Sequence, residues 1–149
     1  MRNKRNTRVK KQRGAILFMV AAGIVVFLGI AGLALDLGRL YTVKSEMQNA
    51  VDAAALAGAW KLNGTATGLN DAVTSAQNAA NRFIFNNAPI ALAPGDITFS
   101  TQRDSGYVSA GTAAGNAANI RFVKAERTVT MDLTLIKVIP GVGNTQNVG

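Results

Sequence analysis

The segment "GAILFMVAAGIVVFLGIAGLAL", residues 14–35, decides the fold of this 149-residue chain, because none of its 22 side chains is polar. As a helix rising about 1.5 Å per residue it would extend roughly 33 Å, enough to cross a hydrocarbon core of about 30 Å. We therefore predict a transmembrane helix bounded by Gly14 and Leu35. The alternative is a secretory signal cleaved after small residues such as Gly32 or Ala34, although the apolar part of a signal is normally only about 7–15 residues long.

The basic residues are concentrated in an arm before this segment. Residues 1–13 hold seven of the 16 Lys and Arg and no acid, whereas the remainder carries nine against eight Asp and Glu. Positive charge beside a span resists translocation, so we predict a cytoplasmic arm, a single pass and a C-terminal part on the far side of the membrane. The cations closest to the span are Arg8, Lys10, Lys11 and Arg13. A nucleic-acid tail is the competing interpretation, but topology and contact with anionic lipid account for the same charges, so we expect the bilayer and no nucleic acid as a partner.

The end of the apolar run carries three residues typical of a membrane exit. Asp36 ends the run, and Arg39 follows at a helical spacing of three, close enough to form an ion pair. Tyr41 is a common anchor at the membrane interface. We predict that the three lie at the headgroup boundary, where a carboxylate needs no further function.

The helix should continue beyond the membrane as a stem over residues 36–62, because residues 35–60 contain no proline. Apolar residues recur there every three or four positions and form one stripe: Leu40, Val43, Met47, Ala50, Ala54 and Ala57. The alanines would allow close packing of another helix, either within this domain or from a partner, including a second copy of the chain. The pattern leaves both alternatives open. We also expect Met47, Ala54 and Trp60 to contribute to the core, with Trp60 packed against Phe83 or Phe85.

These same residues carry a family resemblance. "RGA" before the span, "GLALDLGRLY" at its exit and "MQNAVDAAALAGA" after it are similar to the N-terminal region of the TadE/TadG-like proteins of the tight-adherence (Flp) pilus machinery. The resemblance covers residues 12–62 and is closer to the TadG-like branch. It implies an envelope protein anchored in the bacterial inner membrane, with its C-terminal part in the periplasm. Such a protein serves pilus assembly or surface attachment through contacts with other pilus or envelope proteins. The alternative is a pilin-like structural subunit packed into a filament or surface assembly through its N-terminal helix.

The sequence departs from the family's longer and processed members in two ways. A prepilin-type cut after Gly14 would put Met19 at the fifth position of the mature chain, where such proteins carry glutamate. We therefore expect no cleavage at Gly14. Longer TadG-like proteins also carry a von Willebrand A-like region, for which the chain has no room before Gly149, and its "DxSxS" metal motif does not occur.

Residues 63–149 are expected to form a small extracytoplasmic domain, which makes the fold class α+β. "NGTATG", residues 63–68, predicts a turn, followed by a second helix capped by Asn70 whose apolar face runs through Leu69, Val73, Ala76, Ala80, Phe83 and Ile84. "NNAPIALAPG" and "SAGTAAGNAAN" predict loops, the second of them flexible. "DITFS", Tyr107 with Val108, and "IRFVKAERTVTMDLTLI" predict a small antiparallel sheet of about three strands. "LTLIKVIPGVG" fits either a continuing strand or a short amphipathic segment.

The composition points away from catalysis. Cysteine and histidine are absent, which removes thiol nucleophiles, the commonest general base and the commonest transition-metal ligands. The eight acids are scattered, and no serine-hydrolase motif occurs. Asp96 and Asp104 could share calcium, but two acids are too few oxygen ligands. We expect no enzyme activity, no cofactor and no metal.

Overall fold

The long N-terminal helix is the dominant element of the structure. The computed structural model describes the backbone of residues 8–133 and 145–149, and the side chains of those residues from position 14 onward. Helix α1 runs without interruption over Arg8–Trp60, 53 residues, so the apolar segment and the stem belong to one helix. By their internal contacts the described residues divide into two units, one of residues 8–39, 132–133 and 145 and one of residues 40–131 and 146–149.

Helix α2, Ala66–Ala80, starts earlier than the sequence analysis predicted. Its N-cap is Thr65, whose hydroxyl accepts a hydrogen bond from the Gly68 N–H at 3.0 Å. The Asn63 side chain accepts bonds from the N–H and hydroxyl of Thr65, at 3.1 and 2.7 Å, and holds that hydroxyl in place. The predicted cap, Asn70, lies inside the helix, and that prediction was wrong because the turn before it already supplies the cap.

Helix α2 also ends before the predicted apolar face does. Ala80 is its last residue, so Phe83 lies beyond the helix and Ile84 begins a hairpin of β1, Ile84–Phe85, and β2, Ala88–Pro89. The strands are antiparallel and joined by Asn86 and Asn87, whose φ angles of 51° and 62° are those of a tight hairpin turn. Part of the predicted loop "NNAPIALAPG" is therefore the turn and second strand of a hairpin.

Strand β3, Ile97–Ser100, confirms the strand predicted from "DITFS". A short 3-10 helix, Pro94–Asp96, precedes it. β3 pairs antiparallel with β4, Phe122–Ala125, with Phe99 opposite Val123. On the other side of β3, Val108 forms a single bridge to Phe99 through two backbone bonds of 2.8 and 2.9 Å, where a second short strand was expected.

The segment predicted as a flexible loop, residues 109–119, is helical. It forms α3, Ala110–Ala113, followed by a 3-10 helix over Ala114–Asn119. Ala113 and Ala117 are buried, at 2% and 8% exposure, and α3 packs against α2 and β3. At Ala113 and Ala117 the small side chains, which also suit a loop, allow close packing.

The long C-terminal strand expected after residue 119 is divided. β4 ends at Ala125 and β5, Val129–Asp132, follows after a break and pairs with β6, Thr145–Val148. At the break, Arg127 turns to form an ion pair with Asp96. Residues 134–144, with most of "LTLIKVIPGVG", lie outside the described residues. The α+β class is confirmed, but the described strands form three separate pairs instead of one sheet.

Candidate functional site

The first part of α1 has the character of a membrane span. Its large apolar side chains are mostly exposed, from Ile16 at 60% through Phe27 at 70% to Leu35 at 66%. Within the described residues, α1 is the one helix that is long and apolar enough to cross a membrane, judged by length and composition. Gly14 lies inside α1 with open space around it. The side chains of Arg8, Lys10, Lys11 and Arg13, which should set the topology, lie outside the described residues, so their role stays a prediction.

The three predicted exit residues differ in burial. Asp36 is buried at 5% exposure, whereas Tyr41 is exposed at 77%. Asp36 and Arg39 each have an interaction partner. The predicted ion pair between them, and the position of all three at the headgroups, stay predictions.

The stem has a packing face that the chain's own domain covers. Met47, Ala50 and Ala54 are 1%, 0% and 0% exposed. Leu40, Val43 and Ala57, the other members of the predicted stripe, are half-buried. For the three buried residues the domain itself supplies the contacts, which is the intramolecular alternative of the two that the sequence left open.

Two apolar clusters line this packing face. In the first, Met47 and Ala50 pack with Ile90, and the partly buried residues around them are Val43, Phe83, Phe85 and Val129. In the second, Ala54 joins the main core, whose other buried members are Leu69, Ala72, Ala76, Ala80, Leu92, Ile97, Phe99, Ala113, Ala117 and Ile120. Gln77 of α2 adds a polar tie, because its side-chain amide donates to the Leu92 carbonyl at 2.9 Å.

Gly58 lies at a close approach of α1 to the domain. A Cβ at this position would lie 3.2 Å from Val123 Cγ1, 3.3 Å from the Ala72 carbonyl oxygen and 3.6 Å from Ala76 Cβ. Two of these three contacts would be tighter than ordinary van der Waals contact, so a side chain at position 58 requires α2 or Val123 to shift by a few tenths of an ångström. Sequence analysis missed Gly58, although its place four residues after Ala54 on the same stripe was a usable signal.

The opposite face of the stem is uncovered by the described residues. Trp60 is 86% exposed and Leu56 is 72% exposed. The prediction that Trp60 packs against Phe83 or Phe85 was wrong, because Trp60 lies about 200° around the helix from Gly58, at roughly 100° per residue. Of the three stem residues expected in the core, Met47 and Ala54 lie there and Trp60 does not.

Asp96 has structural partners that account for its carboxylate. Its Oδ2 accepts a hydrogen bond from the Ala93 N–H at 2.9 Å and forms an ion pair with Arg127 at 3.1 Å. The Glu126 N–H donates to the Asp96 carbonyl at 2.9 Å, so the residue ties the end of β4 to the start of β3. Among the described residues no group of three or more acidic side chains is arranged to hold a metal ion.

A second charged group lies on the outer side of β4. The Lys124 ammonium contacts the Glu126 carboxylate at 2.7 Å and lies 5.5 Å from the centre of the Tyr107 ring. Both charged side chains are well exposed, so this group fits a solvated surface.

The match found in the comparisons with known proteins covers the apolar segment and the stem of α1. No curated protein and no solved structure matches the chain. The family model "Putative Flp pilus-assembly TadE/G-like" matches residues 14–61, which begin at the apolar segment and end one residue after α1. The match does not distinguish the TadG-like branch, so that finer assignment stays a prediction. Residues 14–61 of this chain, its transmembrane candidate and stem together, are therefore similar to the putative Flp pilus-assembly TadE/G-like family.

Proposed function

We propose that the chain is a membrane-anchored, non-enzymatic component of pilus assembly that acts through protein–protein contacts in the bacterial envelope. The observation that carries the proposal is the coincidence of the family match with α1: residues 14–61 contain both the apolar segment and the stem that packs into the folded domain. A family of pilus-assembly proteins and an exposed apolar helix both fit an envelope protein.

The proposed topology has residues 1–13 in the cytoplasm, one span over residues 14–35 and the folded domain in the periplasm. The charge asymmetry supports this orientation, because the arm carries seven cations and no acid. It can be tested with a C-terminal epitope tag on the full chain in its host. The tag should be digested by protease added to spheroplasts, which expose the periplasmic face of the membrane, and should resist protease in intact cells and in inside-out vesicles. Digestion in inside-out vesicles would refute the orientation.

The role in pilus assembly is tested by deleting the gene and measuring surface filaments by electron microscopy and adherence. We expect loss of filaments, restored by the full chain. Normal filaments and adherence in the deletion strain would refute the role. Carbonate extraction tests the anchor separately, since a spanning helix remains in the membrane fraction and a peripheral protein is released.

The filament-subunit alternative makes a different prediction about the mature N-terminus. A processed subunit would begin near Ala15 and would leave the cell with sheared filaments. Met19, in place of an acid, supports the retained form. Intact-mass spectrometry of the membrane fraction should find the uncut N-terminus. A chain cut at Gly14 would support the filament-subunit alternative, and a chain cut after Ala34, as in a cleaved signal, would overturn anchoring by the helix.

A further inference from the structure

The uncovered face of the stem has the make-up of an interface. Asp52, Leu56 and Trp60 follow one another at four-residue intervals, so they form a single ridge along α1. Leu56 and Trp60 are 72% and 86% exposed, on the side of the helix opposite the buried Ala54 and Gly58. Tryptophan is the residue type most enriched among those that dominate binding energy at interfaces. An exposed leucine alone would need no explanation, but the pair forms a contiguous apolar surface.

Asp52 supplies a charge that defines the partner's chemistry. Of the three ridge residues it is the only charged one, and the exposed Lys44 lies two turns earlier on the same row of α1. Asp52 forms no salt bridge within the described part of the chain. A surface made of one carboxylate followed by a leucine and a tryptophan is complementary to an apolar surface carrying one cation.

We propose that Asp52, Leu56 and Trp60 form a docking ridge for a helix of another envelope protein, with a Lys or Arg of that helix against Asp52 and apolar residues against Leu56 and Trp60. A ridge of four-residue spacing fits the groove between two such ridges on a second helix, which is the commonest mode of helix packing. The inference rests on the proposed envelope location but names a surface that the family match does not assign.

Two other occupants fit this ridge less well. Copies of the chain anchored in one membrane run parallel, so a symmetric pair formed through this ridge would place the two Asp52 carboxylates against each other. An anionic lipid surface would likewise be repelled by Asp52, whereas a basic helix is attracted. Charge therefore favours a partner protein.

The experiment uses the full chain in its host membranes, with the photo-crosslinking residue benzoylphenylalanine at position 56. The matched control carries it at Thr74, an exposed position of α2. We expect an adduct with one discrete protein at position 56 but not at Thr74, and mass spectrometry should place the crosslink in an apolar helix containing Lys or Arg. Asp52→Lys should lower the adduct yield about tenfold or more, and replacing the partner's cation with Asp in that background should restore it.

Four results would overturn the proposal: an adduct with a second copy, an adduct with lipid only, a yield no higher than at Thr74, or a yield indifferent to Asp52→Lys. A second variant, Trp60→Ala, should weaken co-purification of the crosslinked protein about tenfold or more. Because Trp60 is exposed, this variant should leave the protection of α2 amides from hydrogen exchange unchanged, which separates lost docking from lost folding. Filament formation in the deletion strain is a separate measurement. The docking ridge can therefore be refuted while the proposed role in pilus assembly stands, and that role can be refuted while the ridge stands.

Discussion

Replacing Gly58 with a larger residue should destabilise the packing of α2 on α1, by an amount that follows from the distances around Gly58. A first side-chain carbon there meets Val123 Cγ1 at 3.2 Å and the Ala72 carbonyl oxygen at 3.3 Å. The carbonyl belongs to the backbone of α2 and can move only if the helix moves. Adding more carbons to such a contact costs about 1–3 kcal/mol, while replacing glycine in a helix returns about 0.8 kcal/mol. We expect Gly58→Leu to destabilise the packing of α2 on α1 by about 1–2 kcal/mol.

Hydrogen exchange of the α2 amides, measured by mass spectrometry on the full chain in nanodiscs, reads this loss directly. Where exchange reports opening equilibria, 1–2 kcal/mol corresponds to roughly 5–30-fold faster exchange. The matched control is Gly111→Leu in α3, where an added Cβ has nothing within 4 Å. That control should leave α2 exchange unchanged. Equal exchange in the two variants, or no acceleration in Gly58→Leu, would refute the close approach as the reason for glycine.

Three further substitutions test the packing of Met47, the N-cap of α2 and the ion pair between Asp96 and Arg127. Met47 is 1% exposed, so Met47→Ala should leave a cavity and lower the free energy of unfolding by about 2–4 kcal/mol. Chemical denaturation of the full chain, followed by circular dichroism, measures this loss. A loss under about 1 kcal/mol would contradict the place of Met47 in the core. Thr65→Ala should cost about 1 kcal/mol and speed exchange at the start of α2, whereas Asn70→Ala should not, and the opposite order would reinstate the cap predicted from the sequence. Asp96→Asn should lower the free energy of unfolding by less than about 1 kcal/mol and remove part of its salt dependence, because the ion pair with Arg127 is only partly buried. A larger loss that does not depend on salt would contradict this small contribution of the ion pair.

The N-terminal helix could be predicted from the sequence because its signal is long. The apolar run predicts a span from composition alone, and the three-to-four-residue recurrence through Met47 and Ala54 predicts the side that is buried. The fold class followed from the same patterns. The choice between packing within the domain and packing on a partner required the structure, because alanine suits both equally.

The errors in the outer domain share a cause. Alanine, glycine and asparagine are compatible with loops, caps and tight packing, so "SAGTAAGNAAN" was predicted as a loop although Ala113 and Ala117 lie in the core. Likewise, Trp60 was assigned to the core by its size, whereas the rotation of the helix relative to Gly58 places it outside. In both cases burial depends on tertiary contacts, and the local sequence pattern does not specify those contacts.

The division of the strands into pairs has a consequence for solubility. β4 joins only β3, so its far edge presents backbone groups with no strand partner among the described residues. Such an edge can recruit a strand from a neighbouring molecule and begin aggregation. Lys124 on β4 and Glu126 directly after it are charged and exposed, and charged side chains at an edge strand oppose such pairing.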